Sequence, residues 1–242
     1  WPLPAMVSLA QTLALLAMAA STVAKDVNLD MALDSFDDQY LSCGANMTQM
    51  LPELLDSDFA KNKEFKKAWD IAKTKWQKWG FDSSPLSPDQ AVALMVYTTS
   101  GMELYKRFNR AVSQAGSSSE EYRNNFHFKS LHFLLTQALQ KLSKPRQCHD
   151  VFRRVRDTIF KAQKGTKVRF GQFASTSRSA AVALGFGQDT MFTVRTCHGA
   201  DIQRFSHFLG EEEVLIPPFE IFEVLEAREE GNMMRIKLRS TG

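Results

Sequence analysis

The sequence predicts an α+β fold, with a helical first half covering a β-rich second half. Before about residue 147, apolar residues recur at the spacing of amphipathic helices. After Cys148 the period shifts toward two, in short segments rich in β-branched and aromatic residues that Gly and polar turns separate. This pattern favours an antiparallel or mixed sheet. The 242 residues, 44% of them hydrophobic, suffice for the core of one domain.

Residues 1–24 predict a signal peptide rather than part of the fold. An uncharged apolar core over residues 9–20 is followed by small residues up to Ala24, and it is too short to span a bilayer. We expect cleavage after Ala20 or Ala24. The chain does not begin with Met, so Met6 is a candidate initiator, with residues 1–5 as upstream translation. The mature chain, from residue 25 to 242, is expected to form one domain, helical over 28–146 and β-rich over 147–242.

Residues 59–80 predict a basic amphipathic helix that ends at Gly80. Lysines separate the members of its apolar face, which are Phe65, Trp69, Ala72 and Trp76. Such a helix could lie on a membrane surface, but an ordinary helix docked on its own domain is favoured.

Two more segments complete the helical half. The short apolar run at residues 91–99 is compatible with a buried strand or a buried helix. Residues 117–142 predict an N-cap followed by one long helix. The apolar face of that helix is formed by Leu131, Leu134, Leu135, Ala138, Leu139 and Leu142.

The β half offers a series of predicted strands. In residues 166–175, Val168 and Phe170 alternate with polar residues, and Phe173 follows a Gly. Further strand-like segments are residues 190–197, 213–226 and 233–240.

Charge and missing motifs exclude several classes of protein. The net charge of +3 demands no nucleic-acid partner, and no block of like charge indicates a disordered tail. The chain has no glycine-rich dinucleotide motif between strand and helix, no Walker loop, no H-E-x-x-H and no G-x-S-x-G.

Secretion implies an oxidising environment, in which cysteines pair, yet the chain has three. Cys148 and Cys197 each precede a His, and zinc is the weaker alternative to a disulfide because the spacing is not finger-like. A Cys148–Cys197 bridge would close a loop of about 50 residues and contribute about 4 kcal/mol. Asn46 begins a glycosylation sequon close to the odd cysteine, Cys43.

Three consecutive carboxylates, residues 211–213, precede an apolar run. They form either a solvated turn before a strand or a site that needs two carboxylates on one side. In an extended chain, residues two apart face the same side, about 6 to 7 Å from each other. Glu211 and Glu213 would then share one cleft while Glu212 points away.

Several motifs occur in the order found in vertebrate ecto-mono-ADP-ribosyltransferases, which the chain resembles from about Asp30 to Gly242. They are "SFDDQY" at 35–40, "FHFKSLHFLLTQALQ" at 126–140, "VFRR" at 151–154, "FGQFASTS" at 170–177 and "EEEVLIPPFE" at 211–220. The first acid of the triplet makes the chain most similar to the arginine-specific branch, with its Arg, Ser-x-Ser and Glu-x-Glu signature.

The resemblance implies a single domain whose helical N-terminal part packs on a split, mostly antiparallel β core that holds NAD in a cleft. NAD is consumed as a substrate and no metal is needed. The resemblance also implies a Cys148–Cys197 disulfide, and a partner for Cys43 near the C-terminus. The chain ends before that cysteine, so we expect it to be C-terminally truncated, without the segment that would distinguish a lipid-anchored from a secreted form.

The implied reaction transfers ADP-ribose from NAD to arginine side chains of target proteins and releases nicotinamide. The resemblance makes Glu213 the carboxylate at the nicotinamide ribose and Glu211 its companion toward the acceptor. Arg153 would pair with the NAD phosphates, and Ser175 would support Glu213. The positions that line the NAD cleft, less firmly assigned, are Tyr97, Gln172 and Ser206.

Arg154 departs from the family pattern, which has Gly after the motif arginine. The larger side chain could crowd the site or add a phosphate contact. Two alternatives to the transferase therefore stay open: an NAD glycohydrolase with water as acceptor, and a catalytically weak surface protein that acts as a binding module or antigen.

Overall fold

The computed structural model describes residues 24–79, 84–99, 103–144 and 147–241. The predicted signal peptide, apart from Ala24, and the predicted helix end at Gly80 lie outside these residues.

Helices dominate the first half of the chain. The ambiguous run at residues 91–99 is helical, and its helix begins with a capping box in which Ser87 and Gln90 exchange side-chain to main-chain hydrogen bonds. The helices up to residue 144 are α1 (Gly44–Gln49), α2 (Leu51–Lys61), α3 (Lys63–Trp79), α4 (Pro88–Tyr97), α5 (Leu104–Ala115), α6 (Ser119–Asn124) and α7 (Lys129–Leu142).

The predicted long helix over residues 117–142 is in fact two helices, α6 and α7. Ser118 caps α6 as expected, but the chain leaves the helix after Asn124. Phe126 and Phe128 in the connection are both buried in the core. The buried carboxylate of Asp58 accepts hydrogen bonds from the main-chain nitrogen and the hydroxyl of Ser130, at 2.8 and 2.7 Å, and so caps α7 from α2. Burial of the two rings and this tertiary cap end one helix and start the next.

The basic helix α3 docks on its own domain by the predicted face. Phe65, Trp69 and Ala72 are buried and Trp76 is partly buried, whereas most of its lysines are exposed. In the part of the chain that the structure describes, no helix is both long enough and apolar enough to cross a membrane.

The second half forms a mixed, mostly antiparallel eight-stranded sheet with the order β4-β9-β10-β6-β2-β5-β8-β7. Only β10 and β6 run parallel within it. A separate pair joins β1 and β3 in parallel. The strands are β1 (Lys25–Asn28), β2 (His149–Val155), β3 (Thr158–Lys161), β4 (Lys167–Val168), β5 (Ala174–Ser177), β6 (Thr190–Thr196), β7 (Ala200–Asp201), β8 (Glu213–Ile216), β9 (Phe222–Glu230) and β10 (Met233–Ser240). A short helix, α8 (Ala180–Ala183), follows β5.

The sheet is weakest between β2 and β5. These strands pair at a single position, Phe152 opposite Ser177, whereas β2 pairs with β6 over seven positions. The split expected from the family resemblance therefore falls between β2 and β5, and it divides the sheet into groups of five and three strands.

Two apolar clusters hold the layers together. One extends across the split in the sheet, from Phe192 and Ile236 on the five-stranded side to Val214 on the three-stranded side. The other packs helices α2 to α7 against strand and loop residues such as Phe173 and Leu215. Because this second core contains residues of both halves, we expect the halves to unfold together.

Candidate active site

Arg153 and Ser175 meet across the split. Arg153 lies on β2, and its Nη1 donates to the main-chain oxygen of Ser175 on β5 over 2.7 Å. Burial lowers the pKa of the Arg153 guanidinium, while nearby Tyr97, Tyr105 and Glu213 raise it. The guanidinium remains charged, since the pKa of arginine starts above about 12. A fixed positive charge therefore stands where the two groups of strands separate.

Glu213 begins β8 and is the buried carboxylate of the site, with 4% of its surface exposed. Burial raises its pKa, hydrogen bonds from the Ser175 and Ser206 hydroxyls lower it, Glu211 raises it, and the charge of Arg153 lowers it. Four of the predicted site residues thus act on Glu213 directly. A carboxylate held by donors in a dry site is suited to stabilising positive charge.

The prediction that residues 211–213 are extended is wrong. Glu211 ends a 3-10 turn, Leu209–Glu211, and Glu212 has a left-handed conformation with a φ of 47°. Hydrogen bonds fix this shape: the Glu211 nitrogen donates to the Phe208 oxygen over 3.1 Å, and the Arg178 nitrogen donates to the Glu212 oxygen over 3.2 Å. The strand begins only at Glu213.

The three carboxylates nevertheless differ in burial. Glu212 is exposed, Glu211 is partly buried and Glu213 is buried. Burial raises the pKa of Glu211, and its charge contributes to raising that of Glu213. A turn, rather than strand alternation, gives the two outer carboxylates their different environments.

Tyr97 reaches the site from the end of α4. It is 4% exposed, and its hydroxyl donates to the main-chain oxygen of Phe173 over 3.1 Å. Burial raises its pKa to about 12, although the nearby Ser175 and a hydrogen bond from Asn109 lower it. The hydroxyl is therefore neutral at physiological pH. Tyr97 supports the strand that carries Ser175.

Ser206 and Gln172, the other two predicted cleft residues, differ in position. Ser206 is fully buried and donates toward Glu213, while its Oγ accepts from the Phe208 nitrogen over 3.1 Å. Gln172 is partly buried and follows Gly171, whose φ is +66° and where a Cβ would lie 2.4 Å from the Cβ of Ala32. Only glycine fits there, so the backbone position of Gln172 is fixed by its neighbour.

Arg154 is held by the protein itself. It follows Arg153 on β2 and therefore points to the opposite face of the strand. Its Nη1 donates to the Gly187 oxygen over 3.3 Å, and its Nε lies 3.4 Å from the Met191 sulfur. A Cβ at Gly187 would lie 2.3 Å from the carbonyl carbon of Val155, so this segment is already packed against β2.

The Cys148–Cys197 disulfide is present and joins the chain before β2 to the end of β6. Within the described ranges, no group of three or more His, Cys, Asp or Glu side chains could hold a metal ion. Cys43 is partly buried and has no disulfide partner among the described residues.

Sequence reasoning missed two buried polar residues. Asn109, on α5, donates to the Tyr97 hydroxyl over 3.2 Å and to the Phe173 oxygen over 3.0 Å. Glu220 is fully buried and accepts from the Cys197 nitrogen over 2.7 Å. The only available signal for Asn109 was a polar residue beside the apolar positions of an amphipathic helix, and Glu220 stood in a quoted motif without an assigned role.

Sequence comparisons with known proteins point to one family. A family profile described as NAD:arginine ADP-ribosyltransferase matches residues 29–242. The chain is 48% identical over 221 residues to NAD(P)(+)--arginine ADP-ribosyltransferase 2 of Gallus gallus, covering 89% of this chain and 70% of that protein. It is 44% identical to the GPI-linked NAD(P)(+)--arginine ADP-ribosyltransferase 1 of Homo sapiens, covering 90% and 72%.

Solved structures give the same result. The crystal structure of the eukaryotic mono-ADP-ribosyltransferase ART2.2 superposes with a TM-score of 0.76 at 37% identity, covering 87% of this chain and 93% of that one. Variants of that protein were solved in complex with NADH and with NAD. Exoenzyme S of Pseudomonas aeruginosa, 22% identical with a TM-score of 0.58, shares the fold. The chain belongs to the NAD:arginine ADP-ribosyltransferase family.

Proposed function

We propose that this protein transfers ADP-ribose from NAD to arginine side chains of target proteins and releases nicotinamide. The observation that carries the proposal is the environment of Glu213. This buried carboxylate interacts with the Ser175 and Ser206 hydroxyls and with the charge of Arg153. Family membership supplies the reaction class, and this setting supplies the group that performs it.

Glu213 stabilises the sugar as the bond from ribose C1 to nicotinamide breaks. The ribose becomes oxocarbenium-like, as in glycoside cleavage, and develops positive charge. A negative charge fixed in a site that excludes water stabilises that state without reorganisation. Because this stabilisation needs the negative charge, Glu213 must be ionised when the reaction occurs. Ser175 and Ser206 hold the carboxylate oxygens in place.

Arg153 positions the dinucleotide. A guanidinium carries five N–H donors, and the described contact with the Ser175 oxygen uses only Nη1. The remaining donors suit the pyrophosphate of NAD, whose two charges a single ammonium would match less well. Tyr97, Gln172 and Ser206 complete the NAD cleft in this proposal. NAD is a substrate, and the proposed chemistry uses no metal.

Glu211 receives the acceptor. It is partly exposed, so an incoming guanidinium can reach it from solvent and form two parallel hydrogen bonds. An arginine nitrogen bonds to ribose C1 while nicotinamide leaves with the electrons of the broken bond. The proton that the arginine loses passes to Glu211 and then to solvent.

The function is tested by changing the three carboxylates one at a time. Glu211→Gln, Glu212→Gln and Glu213→Gln are assayed with labelled NAD, using agmatine as acceptor and nicotinamide release as a second readout. Glu213→Gln should lower transfer on the order of a hundredfold or more, and Glu211→Gln should lower transfer to agmatine more than nicotinamide release.

Glu212→Gln, at the exposed middle position, is the matched control and should behave as the unchanged protein. A wild-type protein that binds NAD but labels no acceptor would refute the proposal. Nicotinamide release that is unaffected by agmatine would identify an NAD glycohydrolase instead.

We further propose that the protein enters the secretory pathway and acts at or outside the cell surface. The predicted signal peptide, the exposed Asn46 on α1 and the Cys148–Cys197 bridge support this location. Relatives carry the names GPI-linked and ecto-ADP-ribosyltransferase. Expression in secretory eukaryotic cells should give a product that loses mass on deglycosylation, and Asn46→Gln should abolish that change. Retention of the unmodified chain in the cytosol would refute this location.

A further inference from the structure

We propose that Asn109, in the helical half, is a positioning residue that fixes Tyr97 and the main chain before β5, and so holds Ser175 where it supports Glu213. The inference rests on the proposed role of Glu213 in the reaction. It assigns to α5 a part in catalysis, although α5 carries none of the predicted site residues.

The contacts form a continuous path from α5 to the carboxylate. The Nδ2 of Asn109 donates to the Tyr97 hydroxyl oxygen over 3.2 Å and to the Phe173 oxygen over 3.0 Å. Tyr97 donates its own proton to the same Phe173 oxygen over 3.1 Å. Phe173 lies two residues before Ser175, and Ser175 interacts with both Tyr97 and Glu213.

The shared acceptor makes the arrangement restrictive. The Phe173 oxygen accepts from both the Tyr97 hydroxyl and the Asn109 amide, and Asn109 also donates to the Tyr97 oxygen. These three bonds fix the main chain at the residue before β5, and β5 pairs with β8, the strand that begins at Glu213. Asn109 therefore fixes how Ser175 approaches the strand that carries Glu213.

Asn109 is an amide in the core whose hydrogen-bonding capacity is only partly used. Asn109 is 8% exposed, and its Oδ1 is buried without a hydrogen-bond partner among the described residues. An unpaired buried acceptor opposes folding. An apolar side chain of similar size would avoid this penalty, so the amide is best explained by its two donated hydrogen bonds.

The test compares Asn109→Leu with Thr136→Val. Thr136 is a fully buried residue of the same helical core, on α7, and its hydroxyl has no partner among the described residues. Asn109→Leu should lower kcat about tenfold and leave the KM for NAD within about twofold. The acid limb of its pH–rate profile should move up by about one pH unit, because Glu213 loses a donor that favours its charged form.

Thr136→Val should change neither kcat nor the profile. Thermal melting of every variant establishes that it is folded. If Asn109→Leu does not fold, Asn109→Asp serves, since an ionised Asp cannot donate to Tyr97 and its charge should move the acid limb up in the same direction.

A double-mutant cycle with Tyr97→Phe identifies the route. If Asn109 acts through the Tyr97 hydroxyl, Asn109→Leu should shift the pH profile much less in the Tyr97→Phe background. Equal shifts in both backgrounds, or no shift in the folded single variant, would overturn the inference. Full activity of Glu213→Gln would instead overturn the proposed function, so the two failures are distinguishable.

Discussion

Arg153 donates from Nη1 to the main-chain oxygen of Ser175 over 2.7 Å, and so joins β2 to β5 where these strands share a single paired position. The residue expected to bind the NAD phosphates therefore also spans the split in the sheet. This hydrogen bond links the strand group that carries Arg153 to the strand group that carries Glu213.

Arg153→Lys should lose activity and stability together. Lysine keeps the charge but carries its three donors on one nitrogen, so it cannot reach the Ser175 oxygen and a pyrophosphate at once as the planar guanidinium fork can. We expect the free energy of unfolding to fall by about 1.5–3 kcal/mol, the range for a hydrogen bond to a charged group, and kcat/KM for NAD to fall at least about a hundredfold. Denaturant unfolding and the transfer assay measure the two effects. Arg239→Lys, at an exposed pair with Glu223, is the control, and equal losses in both variants would contradict the assignment.

The ionisation of Glu213 links activity and stability in opposite directions. Burial raises its pKa in the folded protein, so its ionisation costs stability. The stabilisation that comes from binding a proton at Glu213 is fully present below the unfolded pKa of about 4.3, and it is lost as the pH rises through the folded pKa. Glu213→Gln never ionises and should therefore melt at a higher temperature than the unchanged protein at pH 7.5.

The difference in melting temperature should grow from pH 4 to pH 8, and the activity of the unchanged protein should rise over the same interval because Glu213 becomes ionised. Thermal melts between pH 4 and pH 8 measure it, with exposed Glu212→Gln as the matched control. A Glu213→Gln variant that is less stable than the unchanged protein at pH 7.5 would show that the carboxylate contributes net stability.

The fold class could be predicted from the sequence because it depends on local patterns, whereas the candidate site residues came from the order of motifs that the chain shares with a family. Apolar periodicity identified α3 and the strands after Cys148, and the ordered motifs identified Arg153, Ser175 and Glu213. The helical character of residues 91–99 could not be resolved, since a short run buried on all sides has no polar face to mark its period. In the structure, residues 90 to 97 are all buried within α4.

Tertiary contacts explain where the sequence prediction was wrong. The break between α6 and α7 depends on Asp58, more than 70 residues from Ser130. The turn at Glu212 depends on a hydrogen bond from the main-chain nitrogen of Arg178, which directly follows β5. Asn109 was missed for the same reason, because its partners are Tyr97 on α4 and Phe173, the residue before β5.

Arg154 should have little influence on turnover despite its departure from the family pattern. Its guanidinium donates to the Gly187 oxygen and contacts the Met191 sulfur, on the face of β2 opposite to Arg153. Arg154→Gly should keep kcat within about twofold and lower the free energy of unfolding by about 1–2 kcal/mol, from the lost contact and the flexible residue in a strand. Steady-state kinetics and denaturant unfolding measure both. A kcat that rises tenfold would mean that Arg154 crowds the NAD site.

Glu220, which has no assigned role in the reaction, should contribute to the stability of the fold through its buried carboxylate. Its carboxylate accepts from the Thr196 hydroxyl over 2.5 Å, from the Cys197 nitrogen over 2.7 Å and from the His198 nitrogen over 3.1 Å. These bonds shape the turn between β6 and β7, at the Cys148–Cys197 disulfide. Glutamine keeps one oxygen for the two main-chain nitrogens but places an NH₂ group against Thr196, so Glu220→Gln removes the acceptor of the Thr196 hydroxyl and the charge that strengthens all three bonds.

We expect Glu220→Gln to lower the free energy of unfolding by about 2–4 kcal/mol. The matched change Glu223→Gln should cost less than about 1 kcal/mol, because Glu223 pairs with an exposed Arg239. Denaturant unfolding of both variants gives the comparison. The same unfolding measurement in a Cys148→Ser, Cys197→Ser background separates the restraint from the carboxylate and the restraint from the disulfide. If the carboxylate alone shapes the turn, Glu220→Gln lowers the free energy of unfolding equally with and without the disulfide. A larger cost without the disulfide would show that each restraint compensates for loss of the other, and equal small effects of both glutamines would contradict the role assigned to Glu220.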